Sequence, residues 1–277
     1  MQKYDIPTRS ASENSLSKFI IPMTDDMYEV LRGAVLGDGS LIIAKNGVNA
    51  SFSYTSKSYQ HIHYVAKDFL EYGIKGGIRH NDIYDKRTEK TYFKYRFDTI
   101  VSPVFTEEYY KWYVDGVKHI PSDLVLTPKM CQIWYLGDGC LRNSSHNNNY
   151  QDIHLCTNCF DKTEIENILL PQLEQFEAKL YYVAKLKNGQ KSYAIRIGKK
   201  SSIIDFLEYI GDCPFDDYKY KWEVKPNQLN GAQAKYNVYA DAWMQEYING
   251  ASISEIAYRY KATNKAVENT LRNHSLI

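Results

Sequence analysis

The stretches Leu31-Arg32-Gly33-Ala34-Val35-Leu36-Gly37-Asp38-Gly39 and Cys131-Gln132-Ile133-Trp134-Tyr135-Leu136-Gly137-Asp138-Gly139 lie one hundred residues apart and decide the fold. Each predicts an apolar helix that ends in Gly-Asp-Gly. Asp26 followed by Glu29 reads as the start signal of the first helix, and Thr127 with Pro128 as that of the second. Gly39 and Gly139 read as stop signals. The aspartates stand in an unfavourable place, because a carboxylate in the last turn faces the negative end of the helix dipole and loses about 0.3–1 kcal/mol. Two of them at the ends of buried helices call for a compensating cation. Gly33 and Gly37 share one helix face, and each glycine in a helix interior costs about 1 kcal/mol relative to alanine. A face without side chains predicts a close backbone neighbour, and the second helix with its Gly137 is the candidate. Packed side by side, the helices bring Asp38 and Asp138 to the same end. Two unrelated core helices with ordinary Asp-Gly turns are the plainer alternative, and the matched pair speaks against it.

These residues resemble the paired LAGLIDADG helices of homing endonucleases, in the single-chain form that carries two copies. The resemblance extends through Ile120-Pro121-Ser122-Asp123-Leu124 and Leu126-Thr127-Pro128 into the second helix, as in the yeast-mitochondrial intron type. It includes Ile153-His154-Leu155-Cys156-Thr157 and the closing Tyr218-Lys219-Tyr220-Lys221-Trp222, and spans roughly residues 25–225. Arg32, Leu36 and bulky Ile133 depart from the family pattern.

With 277 residues and 44% hydrophobic side chains, the chain can build real cores. It contains no apolar run of membrane-spanning length, and Met1-Gln2-Lys3-Tyr4-Asp5 lacks a secretory apolar core, so a soluble intracellular protein is expected. Five cysteines without regular spacing fit a reducing compartment. The net charge of +1 is unevenly spread. Ala178 to Ile204 holds Lys179, Lys185, Lys187, Lys191, Arg196, Lys199 and Lys200 and no acid, and Gly39 to Lys67 is also free of acids. A solvated basic face is one reading; with 25 tyrosines interleaved, a phosphate-facing surface is the other.

Along the chain, residues 1–24 read as an arm. The first half, 25–117, continues from its Asp helix with strands Leu41–Ala44 and Ala50–Thr55, a helix Gln60–Tyr72, a hairpin Gly77–Tyr84 with Tyr92–Thr99, and a helix Pro103–Val114. The second half, 118–222, repeats the order. Its strands are near Leu141 and over Ile153–Thr157, followed by a helix Lys162–Gln175, strands Leu180–Leu186 and Ser192–Ile197, and a helix Ser202–Ile210. The expected fold is α+β, a pseudo-two-fold pair of αββαββα halves. Their antiparallel sheets would form a saddle for DNA, since β-ribbons fit the major groove. Residues 223–235 read as a linker. Helices over Tyr236–Ile248, Ser252–Tyr260 and Asn264–Asn273 then resemble a resolvase-type helix-turn-helix, with a plain helical cap as the alternative.

Asp38 and Asp138 are hard oxygen ligands suited to Mg2+, with Mn2+ or Ca2+ as other occupants and the carbonyls of Gly37 and Gly137 as further donors. The resemblance adds one basic residue per half that organises the attacking water. Lys118, before Ile120-Pro121, is the first; the second is Lys221, beside Trp222, or Lys219, five residues after Pro214. DNA contacts are expected from Lys45, Lys57, Arg79, Lys94, Arg96, Arg142, Lys185, Lys187, Lys191 and Arg196, and in the tail from Lys265, Asn269 and Arg272. Cys156-Thr157-Asn158-Cys159 with His154 is a weak zinc motif, lacking a second pair. The resemblance implies a monomeric nuclease that cuts double-stranded DNA across the minor groove and leaves 3′ overhangs. A non-cutting maturase or transcriptional regulator of the same descent is the alternative.

Overall fold

The computed structural model describes residues 22–143, 150–185, 189, 191–225 and 239–277. Most of the expected arm, most of the expected linker and Lys187 lie outside them. The chain divides into two compact units, Met1–Val224 and Lys225–Ile277.

In the first unit, α1 covers Asp25–Leu36 and is capped by Thr24, whose side chain accepts from the Met27 amide. The cap is therefore Thr24 and not Asp26; Asp25 and Asp26 occupy the first turn, where the helix dipole favours acids. Strands β1 (Ser40–Ile43) and β2 (Ala50–Ser56), helix α2 (Tyr59–Glu71), strands β3 (Gly76–Asp85) and β4 (Lys90–Thr99), and helix α3 (Pro103–Trp112) complete the first half. Helix α3 ends earlier than expected because Tyr113–Val114 (β5) pairs with Val117–Lys118 (β6). Aromatic and β-branched residues favour that ladder over another helical turn, and the ladder fixes Lys118.

The second half has α4 (Pro128–Asp138), β7 (Gly139–Asn143), β8 (Gln151–Cys156), α5 (Lys162–Glu164), β9 (Lys179–Lys185), β10 (Lys191–Ile197) and α6 (Lys200–Ile210). The helix expected over Lys162–Gln175 is broken. Beyond α5 it runs through a wide π-helical turn, Ile165–Leu169, into a 3-10 stretch, Pro171–Phe176. Pro171 brings no amide donor, which disfavours a continuous α-helix. Both sheets are antiparallel and four-stranded, ordered β1-β2-β4-β3 and β7-β8-β10-β9. Leu41 pairs with Phe52 as Leu141 pairs with Ile153, so the halves share register as well as order. Alternation puts Phe52 and Phe97, or Ile153 and Ile195, in the core, and leaves their sequence neighbours on the other face. Each fully buried large side chain stabilises by about 1.5–3 kcal/mol.

Helices α1 and α4 pack along their glycines. A Cβ on Gly33 would lie 2.7 Å from the Met130 carbonyl and 3.0 Å from Ile133 Cβ. Bulky Ile133 is thus accommodated by the bare backbone opposite it. At the far end the contact is reciprocal: a Cβ on Gly37 would lie 3.5 Å from Asp138 Cβ, and one on Gly137 would lie 3.6 Å from Asp38 Oδ2. Gly39 and Gly139 do not adopt positive φ. They are glycines because a side chain would strike the carbonyls of Ala34, at 2.7 Å, and Tyr135, at 2.6 Å. Arg32 is explained by α3, where its guanidinium makes two 2.9 Å bonds to buried Glu108. Leu36 is fully buried.

In the second unit, α7 (Ala240–Ile248), α8 (Ile253–Arg259) and α9 (Asn264–Asn273) close on Trp243, Ile256, Ala257, Val267 and Leu271. Ser252 and Glu255 form a capping box at α8, and Thr263 caps α9. Among the described residues, no helix is long and apolar enough to cross a membrane.

Candidate functional site

The site forms where α1 and α4 end side by side. Asp138 is the last residue of α4, and Asp38 lies just beyond α1. Burial pushes both carboxyls up, Asp138 to about 6, where the neighbouring Asp38 adds to the effect. Asp38 keeps contact with solvent. In the protein alone the pair therefore retains a proton well above the usual carboxylate range, as two crowded carboxyls do.

The compensating cations are the lysines. Lys221 is 5% exposed, and its Nζ donates to the carbonyls of Tyr135 at 3.1 Å, Leu136 at 2.7 Å and Gly139 at 2.8 Å. It thus caps the C-terminus of α4, where orphan carbonyls need donors. Burial pulls its pKa down to about 8, against the opposing pull of Cys140 and the two aspartates. Lys118 caps α1 in the same sense, donating to Gly37 O at 3.5 Å and Gly39 O at 3.4 Å. Burial lowers its pKa as well. The Gly37 carbonyl, expected as a metal donor, thus already faces an ammonium. Lys219, the other candidate in the C-terminal half, points outward to Asp216 at 2.6 Å. The 3-10 turn Asp216–Lys221 sends residues two apart to different sides, so Lys221 enters the site and Lys219 does not.

A buried polar group adjoins the pair. A Cβ on Gly137 would come within 2.9 Å of the Tyr54 hydroxyl. Tyr54 Oη lies 3.1 Å from His61 Nε2, His61 Nδ1 lies 3.2 Å from Ser56 Oγ, and Ser56 Oγ lies 3.1 Å from the Tyr218 hydroxyl. The ring of Tyr218 faces Lys221 Nζ at 4.7 Å. Burial, helped by the Lys221 charge, pulls His61 down to about 3, so the imidazole is neutral. The sequence reading missed Tyr54, His61 and Tyr218 as parts of the site. Tyr54 was visible only as one member of an alternating strand, and a lone histidine in a helix carries no signal.

Arg79, Lys94, Arg96, Arg142 and Arg196, among the expected DNA-contacting cations, lie on the sheet faces turned away from the core. Arg79 is cross-strand partner of Arg96, which bonds Asp98 at 2.8 Å. In the second half Asp152 holds two of them: Arg142 through bonds of 2.9 and 3.2 Å, and Arg196 through one of 2.8 Å. Although burial alone would raise it, these guanidiniums hold the Asp152 carboxyl below its ordinary range. Lys57 lies over the Tyr92 ring, Lys94 is half-buried, and Lys45, Lys185 and Lys191 are exposed. In the tail, Lys265, Asn269 and Arg272 are exposed on α9, with Arg272 bonded to Glu268. Cys156 and Cys159 are free thiols.

This geometry can be set beside known proteins. The sequence model of the LAGLIDADG DNA endonuclease family matches residues 28–204, more than half of the chain. The chain belongs to this family. Its fold is similar to that of the homing endonuclease I-WcaI bound to its DNA recognition sequence. The TM-score is 0.64 at 17% identity, over 80% of this chain and 97% of that one. It is also 28% identical over 212 residues to the uncharacterized protein MJ1098 of Methanocaldococcus jannaschii. That match covers 73% of this LAGLIDADG chain and 75% of the relative.

Proposed function

We propose that this LAGLIDADG protein is a site-specific, metal-dependent endonuclease that acts as a monomer on double-stranded DNA. It hydrolyses one phosphodiester on each strand across the minor groove and leaves 3′ overhangs. The observation that carries the reading is the facing pair Asp38 and Asp138, with a lysine ammonium at each helix end. Two crowded carboxyls whose pKa values stay raised despite the nearby lysines are hard oxygen donors. That donor set suits Mg2+, which takes one or two protein carboxylates and keeps waters and phosphate oxygens. Asp38 and Asp138 would hold the ion, with the Gly137 carbonyl as a further donor. A bound divalent cation supplies Lewis acidity toward the phosphate and the leaving oxygen.

The chain's own residues do the positioning. Lys118 and Lys221 are each fixed by backbone carbonyls beside the aspartates, where an N–H or a released amine can orient a water toward phosphorus. The basic sheet faces supply counter-charge to a duplex backbone, and exposed Lys265, Asn269 and Arg272 on α9 supply a second contact surface. The test is incubation of the full chain with a DNA library and Mg2+, followed by sequencing of the ends. Defined ends on both strands, absent when the metal is chelated, are expected. Specific retention of a DNA sequence without new ends would overturn the reading in favour of a non-cutting binder.

A further inference from the structure

Each lysine is braced by the half opposite the helix that it caps. The stretch around Lys221 is gripped by the start of α2, a first-half helix. Ser58 Oγ donates to Asp217 Oδ2 at 2.5 Å, and the Asp217 amide donates to Gln60 Oε1 at 3.3 Å. His61 stands behind this grip, 1% exposed. Its ring meets that of Tyr218 at 5.0 Å and 66°. Both of its nitrogens are engaged, one with Tyr54 and one with Ser56. A single neutral imidazole therefore touches the tyrosine that walls Gly137 and the tyrosine that lies beneath the Lys221 ammonium. The second half braces Lys118 with different chemistry. His119 Nδ1 donates to Glu164 Oε1 at 2.8 Å, and the Phe160 ring lies 5.5 Å from Lys118 Nζ. Glu164 and His61 occupy the same place, the third residue of the helix that follows the second strand.

We propose that His61 is a positioning residue for Lys221, acting across the pseudo-two-fold axis to control the cutting of one DNA strand. The inference rests on the reading of Lys221 as an active-site group. It follows from connectivity: Lys221 reaches its carbonyls only if the turn 215–221 is seated, and Tyr218 seats it against His61. A histidine that merely filled the core would support both strands' chemistry equally. One that sets a single lysine must be felt on one strand.

The experiment uses the full chain, Mg2+ and a cognate duplex labelled differently on each strand. Expected for His61→Ala is a loss of about tenfold or more on the strand that Lys221→Met also slows, with the other strand within about twofold, since small misplacements of a reacting group are costly. His61→Gln, which keeps a donor and an acceptor, should recover much of the rate. The double variant His61→Ala with Lys221→Met should be no slower than Lys221→Met alone, because both act through one ammonium. Equal slowing of both strands, or additive losses in the double variant, overturns the proposal. If His61→Ala does not fold, Tyr218→Phe, which keeps the ring and loses the hydroxyl, carries the same strand test with the same two outcomes. If Lys221→Met slows neither strand, the reading of Lys221 falls and the proposal falls with it. A one-strand Lys221 effect without a matching His61 effect overturns the proposal alone.

Discussion

The Asp helices of the two halves carry the same ammonium at the same end, in unequal settings. Lys221 is buried and gives all three of its N–H groups to carbonyls within 3.1 Å. Lys118 is half-buried, reaches two carbonyls at 3.4 and 3.5 Å, and keeps one N–H uncommitted to them. Helix order, sheet order and register obey the pseudo-symmetry; the enclosure of the lysines does not. A repeated fold thus specifies where an ammonium stands, while unrepeated side chains, Tyr218 and Phe160 among them, set how tightly it is held. Unequal cutting of the two strands is the expected consequence.

The largest effect should come from what the halves share. Asp38→Asn and Asp138→Asn should each lower the cutting of both strands by about 10²–10³-fold or more, with specific binding retained, as expected for loss of a preorganised charge. Strand-resolved kinetics check this; loss on one strand only would mean that the halves work separately.

Next come the groups that differ. Lys221→Met and Lys118→Met should each slow one strand, and not the same one, by about 10²-fold. Lys219→Met should leave both rates unchanged, because Lys219 faces Asp216. Thermal melts sharpen the comparison. Removing Lys221 strands three carbonyls at a buried helix end, at about 1–3 kcal/mol for each group left unsatisfied. Removing Lys118 should lower Tm less. Equal Tm losses would contradict the difference in enclosure.

Each half also buries a neutral histidine, His61 at about 3 and His154 at about 4, both lowered first by burial. Their ordinary pKa is about 6.5. Between the two values the unfolded chain binds a proton that the folded chain does not, so the stabilisation is complete above pH 6.5 and drains away as pH falls. The loss should be on the order of a few kcal/mol for His61 and smaller for His154. Asp138, raised to about 6, acts in the opposite sense at acid pH, so the difference between variant and wild type is the quantity to read. Urea midpoints against pH should show a flatter acid limb for His61→Gln than for His154→Gln. The reverse order would mean that the second half is the more acid-sensitive.

The helix pair and the strands were legible in the sequence because their signals are local and physically odd: glycines in a helix interior, an acid at the wrong end, strict alternation. What was not legible depends on contacts between distant residues. Asp26 with Glu29 satisfied a capping pattern, yet the cap is the Thr24 hydroxyl, two residues earlier. Lys219 and Lys221 are equivalent by spacing, and only the 3-10 turn separates them. Arg142 and Arg196 read as two free cations because their shared counter-ion, Asp152, comes from another strand. His61 acquires meaning only from Tyr218, 157 residues away.

The smallest effect on chemistry should come from removing the tail. No proposed metal ligand or lysine of the site lies beyond residue 225, and the three helices of the tail have a core of their own. Deleting Ala232–Ile277 should therefore leave the rate at saturating protein unchanged on both strands. Affinity should fall, because a linked second module raises apparent binding through effective concentration without new contacts at the first. Lys265 and Arg272 are exposed, so their loss should also make the slope of log affinity against log salt shallower. Since the tail is joined to one end of the chain only, the protected DNA should shorten at one end. A footprint and a salt titration of both proteins on one cut site decide it. Coincident footprints and slopes would make α9 a structural element and leave the two unequal halves as the whole of the DNA-binding surface.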